Sequence, residues 1–217
     1  MSYPVALRFQ AEQLNVLIEE GRVSTSYRHQ VKAYHRILAR NPDPQKKIDL
    51  KEHELQTIPG YRRALYIAHK PRLPGGALTP RSEEEVRKIE AQFKRDSVVV
   101  VDNFLTPEAL EMLHDFASRS TIYTDVKPPG YVGSYWDDGF NTPLLSQVTE
   151  ELASMFPNMF KDFPLKDSWA YNYDNGNFQK GINVHADEAA VNCNLWLTPD
   201  SANLDKKSGG KFVRLQT

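Results

Sequence analysis

The chain has 217 residues, room for one domain with a sizeable core or for a small module joined to one ordinary domain. Hydrophobic residues make up 40% and charged residues 25%, which excludes disorder as a whole-chain state. Lys and Arg number 27 against 28 Asp and Glu, so the formal charge of −1 excludes any global electrostatic case for nucleic acid or an anionic membrane as partner.

Residues 5 to 40 read as two helices. Leu7, Ala11, Leu14 and Ile18 recur at helical spacing, and Gly21 closes the first. Ser24 or Thr25 caps the second, and Tyr27, Val31, Tyr34 and Leu38 give it an apolar stripe before Asn41-Pro42. Such a pair buries little surface alone, so it is expected to pack on a larger domain or to be the remnant of a longer helical array. Between Pro42 and Pro80 fall six of the fourteen prolines, with Gly60, Gly75 and Gly76, and neither helical nor strand period is sustained. The expected organisation is therefore a helical hairpin over 1–45, a Pro-rich linker over 46–80 and a main domain over 81–217. No leader is visible in residues 1–8.

In the main domain Ser82 and Glu85 have capping-box spacing, and Val86, Ile89 and Phe93 share one helical face. Val98–Val101 is a β-branched run expected to form a buried strand; as the longest purely aliphatic run, it is far short of the ~20 residues a membrane helix requires. Thr106-Pro107-Glu108 and Thr142-Pro143 each open a helix, the second carried by Leu145, Val148, Leu152 and Phe156 to Pro157. After residue 167 the period becomes two, with Trp169, Tyr171 and Tyr173 alternating with smaller or polar residues.

The sharpest chemical feature is Gly181-Ile-Asn-Val-His-Ala-Asp187. In extended backbone His185 and Asp187 project to one side, an imidazole and a carboxylate matching two thirds of the facial triad that holds non-haem Fe(II). The same triplet also describes a strand end with a solvated His and Asp. Val191–Leu197 alternates again: Val191, Cys193, Leu195 and Leu197 on an apolar face, Asn192, Asn194 and Trp196 on the other. The polar face lines a ligand cavity in one reading and meets water in the other. Cys193, the one cysteine, is then a buried thiol without an internal disulfide partner, and the expected setting is cytoplasmic. His29, His35, His53, His69 and His114 show no ligand spacing, and no G-x-G-x-x-G, Walker A, G-x-S-x-G or C-x-x-C motif is present.

Val98-Val-Val-Val-Asp-Asn-Phe-Leu-Thr-Pro-Glu-Ala-Leu110, Trp169-Ala-Tyr-Asn-Tyr-Asp174, Val184-His-Ala-Asp187 and Ser208-Gly-Gly210 together resemble the Fe(II)- and 2-oxoglutarate-dependent dioxygenases, in the prolyl-hydroxylase-like branch. Gly60-Tyr-Arg-Arg-Ala-Leu-Tyr-Ile67, Pro71-Arg-Leu-Pro74 and Ala202-Asn-Leu-Asp205 add to the match, which covers roughly residues 58 to 210, with a weaker echo of tetratricopeptide repeats over the N-terminal hairpin. The resemblance implies an α+β chain: a helical hairpin followed by an incomplete double-stranded β-helix (jelly roll) flanked by helices. It further implies Fe(II) as metal and 2-oxoglutarate as cosubstrate, with decarboxylation to succinate coupled to hydroxylation of a C–H bond. His185 and Asp187 become iron ligands, and Tyr171, Tyr173, Asn194 and Trp196 candidates for the cosubstrate wall.

The chain departs from the family in two ways. No His follows His185, and Lys211 and Arg214 come too early for the basic residue that anchors the far carboxylate of 2-oxoglutarate. The expectation is a truncated dioxygenase, inactive as this chain, that hydroxylates a protein side chain or a small molecule when whole. The alternative is a non-catalytic scaffold retaining the fold. A protein substrate docked through the N-terminal helices is the expected partner, without nucleic acid or membrane.

Overall fold

The computed structural model describes residues 2–127, 131–173 and 187–202. His185, Gly209-Gly210, Lys211 and Arg214 lie outside them. Among the described residues the chain is mixed helix and sheet, with one three-stranded antiparallel sheet, an α+β arrangement. No helix there is long and apolar enough to cross a membrane. The chain divides into two compact units: Met1–His69, Asp115–Asn141 and Asp167–His185 form the first, and Lys70–His114, Thr142–Lys166 and Ala186–Thr217 the second.

The first unit is built around helix α1, Pro4–Glu19. Pro4 sits at its first turn, where a missing N–H costs nothing, and Ser2 just before it exchanges two backbone hydrogen bonds with Ile48. At the other end Gly21 takes φ +69°, a left-handed exit that glycine adopts without strain. Helix α2, Arg28–Arg40, follows a short 3-10 turn in which Ser24 caps by accepting from the Ser26 amide. Leu7, Ala11, Leu14 and Ile18 interlock with Val31, Ala33, Tyr34 and Ile37. The expected stripe of α1 is thus the observed interface, whereas that of α2 is met at Val31 and Tyr34, with Ala33 and Ile37 completing it and Tyr27 and Leu38 half-buried at its margin. Polar atoms in this core are satisfied: Tyr34 donates to Gln10 Oε1 at 2.9 Å, and Gln13 donates to the Ser120 carbonyl at 2.7 Å.

The proline-rich stretch contributes to packing as well as connecting. Ile48 and Ile58 join the hairpin core, and a short helix α3, Glu52–Thr57, lies between them. Beyond it the Thr121 hydroxyl accepts the amides of Leu65 and Tyr66 at 2.7 and 2.9 Å, and Ser120 Oγ accepts that of Ala68 at 3.0 Å. Periodicity is absent from this stretch because side chains, rather than a ladder or helix, satisfy much of its backbone.

The sheet of the first unit runs β1 (Asp125–Lys127), β2 (Tyr131–Tyr135) and β3 (Trp169–Tyr173), with β2 in the middle. Alternation at Trp169, Tyr171 and Tyr173 correctly locates β3. The antiparallel pair β1–β2 precedes a helix at Pro143–Met155 in sequence, so strands and helices interleave.

In the second unit helix α4, Glu83–Asp96, carries the expected capping box. The Ser82 amide donates to Glu85 at 2.8 Å, and the Ser82 hydroxyl accepts the Glu85 amide at 3.3 Å. The next expectation differs. Val98–Val101 forms no strand, and Val100 is 68% exposed. The run lies between the left-handed cap at Ser97 and a turn with Asn103 at φ +51°, and no neighbouring strand pairs with it among the described residues. Helix α5, Pro107–Arg119, begins where Thr106-Pro107 requires, with Thr106 Oγ1 accepting the Ala109 amide.

Helix α6, Pro143–Met155, also starts at its Thr-Pro pair, and helix α7, Pro157–Phe160, follows it. The Thr142 hydroxyl leaves the helix uncapped. It accepts the Lys70 amide at 2.6 Å and donates to the Lys70 carbonyl at 3.0 Å. Further along α6, Gln147 brackets the Leu73 amide and carbonyl at 2.7 and 2.8 Å. Glu151 accepts the amides of Ala77 and Leu78, both at 2.9 Å. Residues 70–78 lack regular structure, and α6 supplies their polar partners from one side of a helix.

Candidate functional site

The strand register places Lys127, Tyr131 and Tyr173 side by side across the sheet, then Asp125, Gly133 and Tyr171, then Tyr135 and Trp169. Alternation sends these side chains to one face, and Val132 and Ser134, 1% and 0% exposed, to the other. Four phenols gather on the first face. Tyr131 and Tyr173 stack with ring centres 5.1 Å apart, Tyr131 meets Tyr171 edge-on at 5.4 Å, and the hydroxyls of Tyr135 and Tyr171 are 3.3 Å apart.

Gly133 makes this crowding feasible. A Cβ there would stand 2.9 Å from Tyr171 Cε1 and 3.1 Å from Cδ1, so the Tyr171 ring lies across the middle strand where any other residue would push it away. Beside the rings Lys127 donates to Asp125 at 2.6 Å, and its ammonium sits 5.6 Å from the centre of the Tyr135 ring. The bond to Asp125 holds the Lys127 pKa above its ordinary value. Burial pushes up the phenols of Tyr171 and Tyr173, and the bond with Tyr135 adds to the effect at Tyr171. Lys127, Tyr171 and Tyr173 therefore keep their protons at neutral pH. The described residues of the face offer hydroxyl donors and a fixed ammonium–carboxylate pair, suited to holding a polar ligand.

The sequence reading found Tyr171 and Tyr173 but missed Tyr131, Tyr135, Asp125 and Lys127. The available signal was Tyr131-Val-Gly-Ser-Tyr135, aromatics four apart around a glycine and preceded by Pro128-Pro129-Gly130.

Of the remaining expected site residues, His185 lies outside the described residues, and Asp187, Asn194 and Trp196 belong to the second unit. Asp187 is exposed; its carboxylate accepts a short hydrogen bond from Asn192 Nδ2, and its carbonyl accepts the Ala189 amide at 2.8 Å. The adjacent Glu188 receives Lys166 Nζ on its carbonyl at 2.9 Å and on its carboxylate at 3.4 Å. Val191–Leu197 was expected as a strand with Cys193 buried. It has no regular structure, and Asn192, Cys193, Asn194, Leu195 and Trp196 are all exposed, Trp196 by 66%. Alternation alone does not bury a face; that requires a paired neighbour, and among the described residues this segment has none.

For a metal such as Fe(II) the described residues present Asp187 alone of the two expected ligands. No group of three or more His, Cys, Asp or Glu able to hold an ion occurs among them. The described donor set does not by itself make a metal centre. No protein-family model, curated protein or solved structure matches the chain.

Proposed function

We propose that the chain derives from an Fe(II)/2-oxoglutarate-dependent dioxygenase of the prolyl-hydroxylase-like branch, with His185 and Asp187 as its iron ligands. Tyr171, Tyr173, Asn194 and Trp196 are proposed for the cosubstrate wall, and β1–β3 for the first part of a double-stranded β-helix. The observation that carries the reading is the stretch Trp169–Asp187. A strand bearing two phenols on one face of an antiparallel sheet leads, in sequence, to an H-x-D triplet. Iron with open coordination positions would supply the binding of O₂ and cosubstrate beside substrate. The chain's own residues would orient the cosubstrate by phenol and amide hydrogen bonds.

A polypeptide limited to these 217 residues, holding the metal through His185 and Asp187, is expected to bind Fe(II) weakly and not to turn over. Anaerobic titration with Fe(II) and 2-oxoglutarate tests the ligands. A metal-to-ligand absorption band lost in His185→Ala supports the assignment. No band in the wild type, or a band unchanged in the variant, refutes it. Succinate formation abolished by Asp187→Ala would overturn the expected inactivity.

The second reading is a scaffold that keeps the fold without the reaction, and it accords with the exposed Asp187 carboxylate being taken up by Asn192. It predicts neither metal binding nor succinate.

A further inference from the structure

From Gly21 to Pro42 the sequence contains no Asp or Glu but carries Arg22, Arg28, Lys32, Arg36 and Arg40. Four of these stand at fourfold spacing on α2, and that spacing places them in one row along a helix. The structure exposes the row: Arg28, Lys32, Arg36 and Arg40 all face solvent, and the opposite side of α2 buries Val31, Ala33, Tyr34 and Ile37. Arg40 is bonded to Glu54 at 2.8 Å. Arg28, Lys32 and Arg36 make no ion pair among the described residues. Like charges four apart destabilise a helix, so an unneutralised ladder works against the stability of α2 and is held in place by the packing of its other face.

We propose that this ladder is a docking surface for an acidic protein segment. At ~1.5 Å rise per residue the cations repeat every ~6 Å along ~18 Å of helix. Carboxylates four apart on a facing helix repeat at the same interval, and carboxylates on alternate residues of an extended strand repeat every ~6.6 Å. Either gives three charge-assisted contacts in register.

Two other polyanions fit less well. The apolar side of α2 is consumed by its own core, leaving no face to enter a membrane interface. No tyrosine is exposed along the row for a nucleic-acid base to stack on, Tyr34 being fully buried and Tyr27 half-buried, which leaves the small imidazoles of His29 and His35 as the exposed rings beside it. The inference stands apart from the oxygenase reading, because its test involves no metal and no turnover.

The probe is a fluorescent peptide of alternating Glu and Ser, titrated with the full chain and followed by anisotropy. Binding is expected at about 50 mM salt, and should weaken strongly by about 300 mM. The triple variant Arg28→Gln/Lys32→Gln/Arg36→Gln, which keeps helix propensity, should lose about tenfold in affinity. The pair Arg87→Gln/Lys88→Gln on α4, where both cations already have carboxylate partners, should bind as the wild type does. Absence of binding at low salt overturns the proposal, as does equal binding by the triple variant. Tighter binding to a DNA duplex or to anionic vesicles than to the peptide would overturn the partner class.

Discussion

Glu151 offers the most direct test of how α6 holds the irregular segment beside it. Its carboxylate accepts the Ala77 and Leu78 amides at 2.9 Å each, and the Gln147 side-chain amide at 2.6 Å. Ala77 and Leu78 are 0% and 3% exposed, so neither amide finds water readily when the carboxylate is removed. A buried donor left unpaired costs about 1–3 kcal/mol. Two such donors, partly rescued by water entering the space of the lost side chain, put Glu151→Ala at about 2–4 kcal/mol of destabilisation. Glu151→Gln keeps an acceptor oxygen but loses the charge, and should cost about 1 kcal/mol. Urea unfolding measures both. Hydrogen exchange at Ala77 and Leu78 localises the effect, because those two amides should lose protection first. A Glu151→Ala protein within about 0.5 kcal/mol of wild type, with both amides still protected, would refute the account.

The same carboxylate makes the segment acid-sensitive. Burial raises the Glu151 pKa, but the bonds from Leu78, Gln147 and Ala77 outweigh it and hold the folded value below the ordinary one. A depressed folded value stabilises above the unfolded pKa of ~4.3 and loses that contribution as pH falls through the folded value, so protection at Ala77 and Leu78 should be level from neutral pH to about 5 and decline below about 4. Thr142→Val removes both bonds to the Lys70 backbone and should destabilise by about 1–3 kcal/mol, with Thr142→Ser near wild type; equal stability of Val and Ser in urea would refute the role. Gly133→Ala must displace the Tyr171 ring and should cost about 1–3 kcal/mol, with a changed tyrosine near-ultraviolet signal; an unaltered spectrum and midpoint would count against the packing. Cys193, exposed in an irregular segment, should be labelled by a thiol reagent in the folded chain, more slowly than in the unfolded chain because burial raises its thiol pKa, and a thiol unreactive until unfolding would contradict the placement.

Local signals in the sequence carry the elements they specify. Leu7, Ala11, Leu14 and Ile18 state the inner face of α1, Ser82 with Glu85 states the start of α4, and Trp169, Tyr171 and Tyr173 state β3. Each is a relation among residues a few positions apart. Features hidden from the sequence depend on distant partners. Residues 65–78 read as a linker because their backbone is satisfied by Thr121, Ser120, Thr142, Gln147 and Glu151, which are 52 to 74 positions away. Val98–Val101 and Val191–Leu197 show the converse: both have the composition or alternation of strands, and neither has a neighbour to pair with among the described residues.

The tyrosine face joins these two cases. Tyr171 and Tyr173 are legible because they alternate within one strand, whereas β2 is obscured by Gly133, a residue that weakens any strand reading taken alone. The glycine has a reason only in register, where it stands opposite Tyr171 and makes room for the ring. Tyr131 and Tyr135, on either side of it, are carried to the same face by strand period, and Lys127 with Asp125 by pairing with β2. A cluster of four phenols and an ion pair thus depends on a residue with no side chain. That is why the chemistry of this face becomes visible through the pairing of β2 with its neighbours and not through a motif in any single segment.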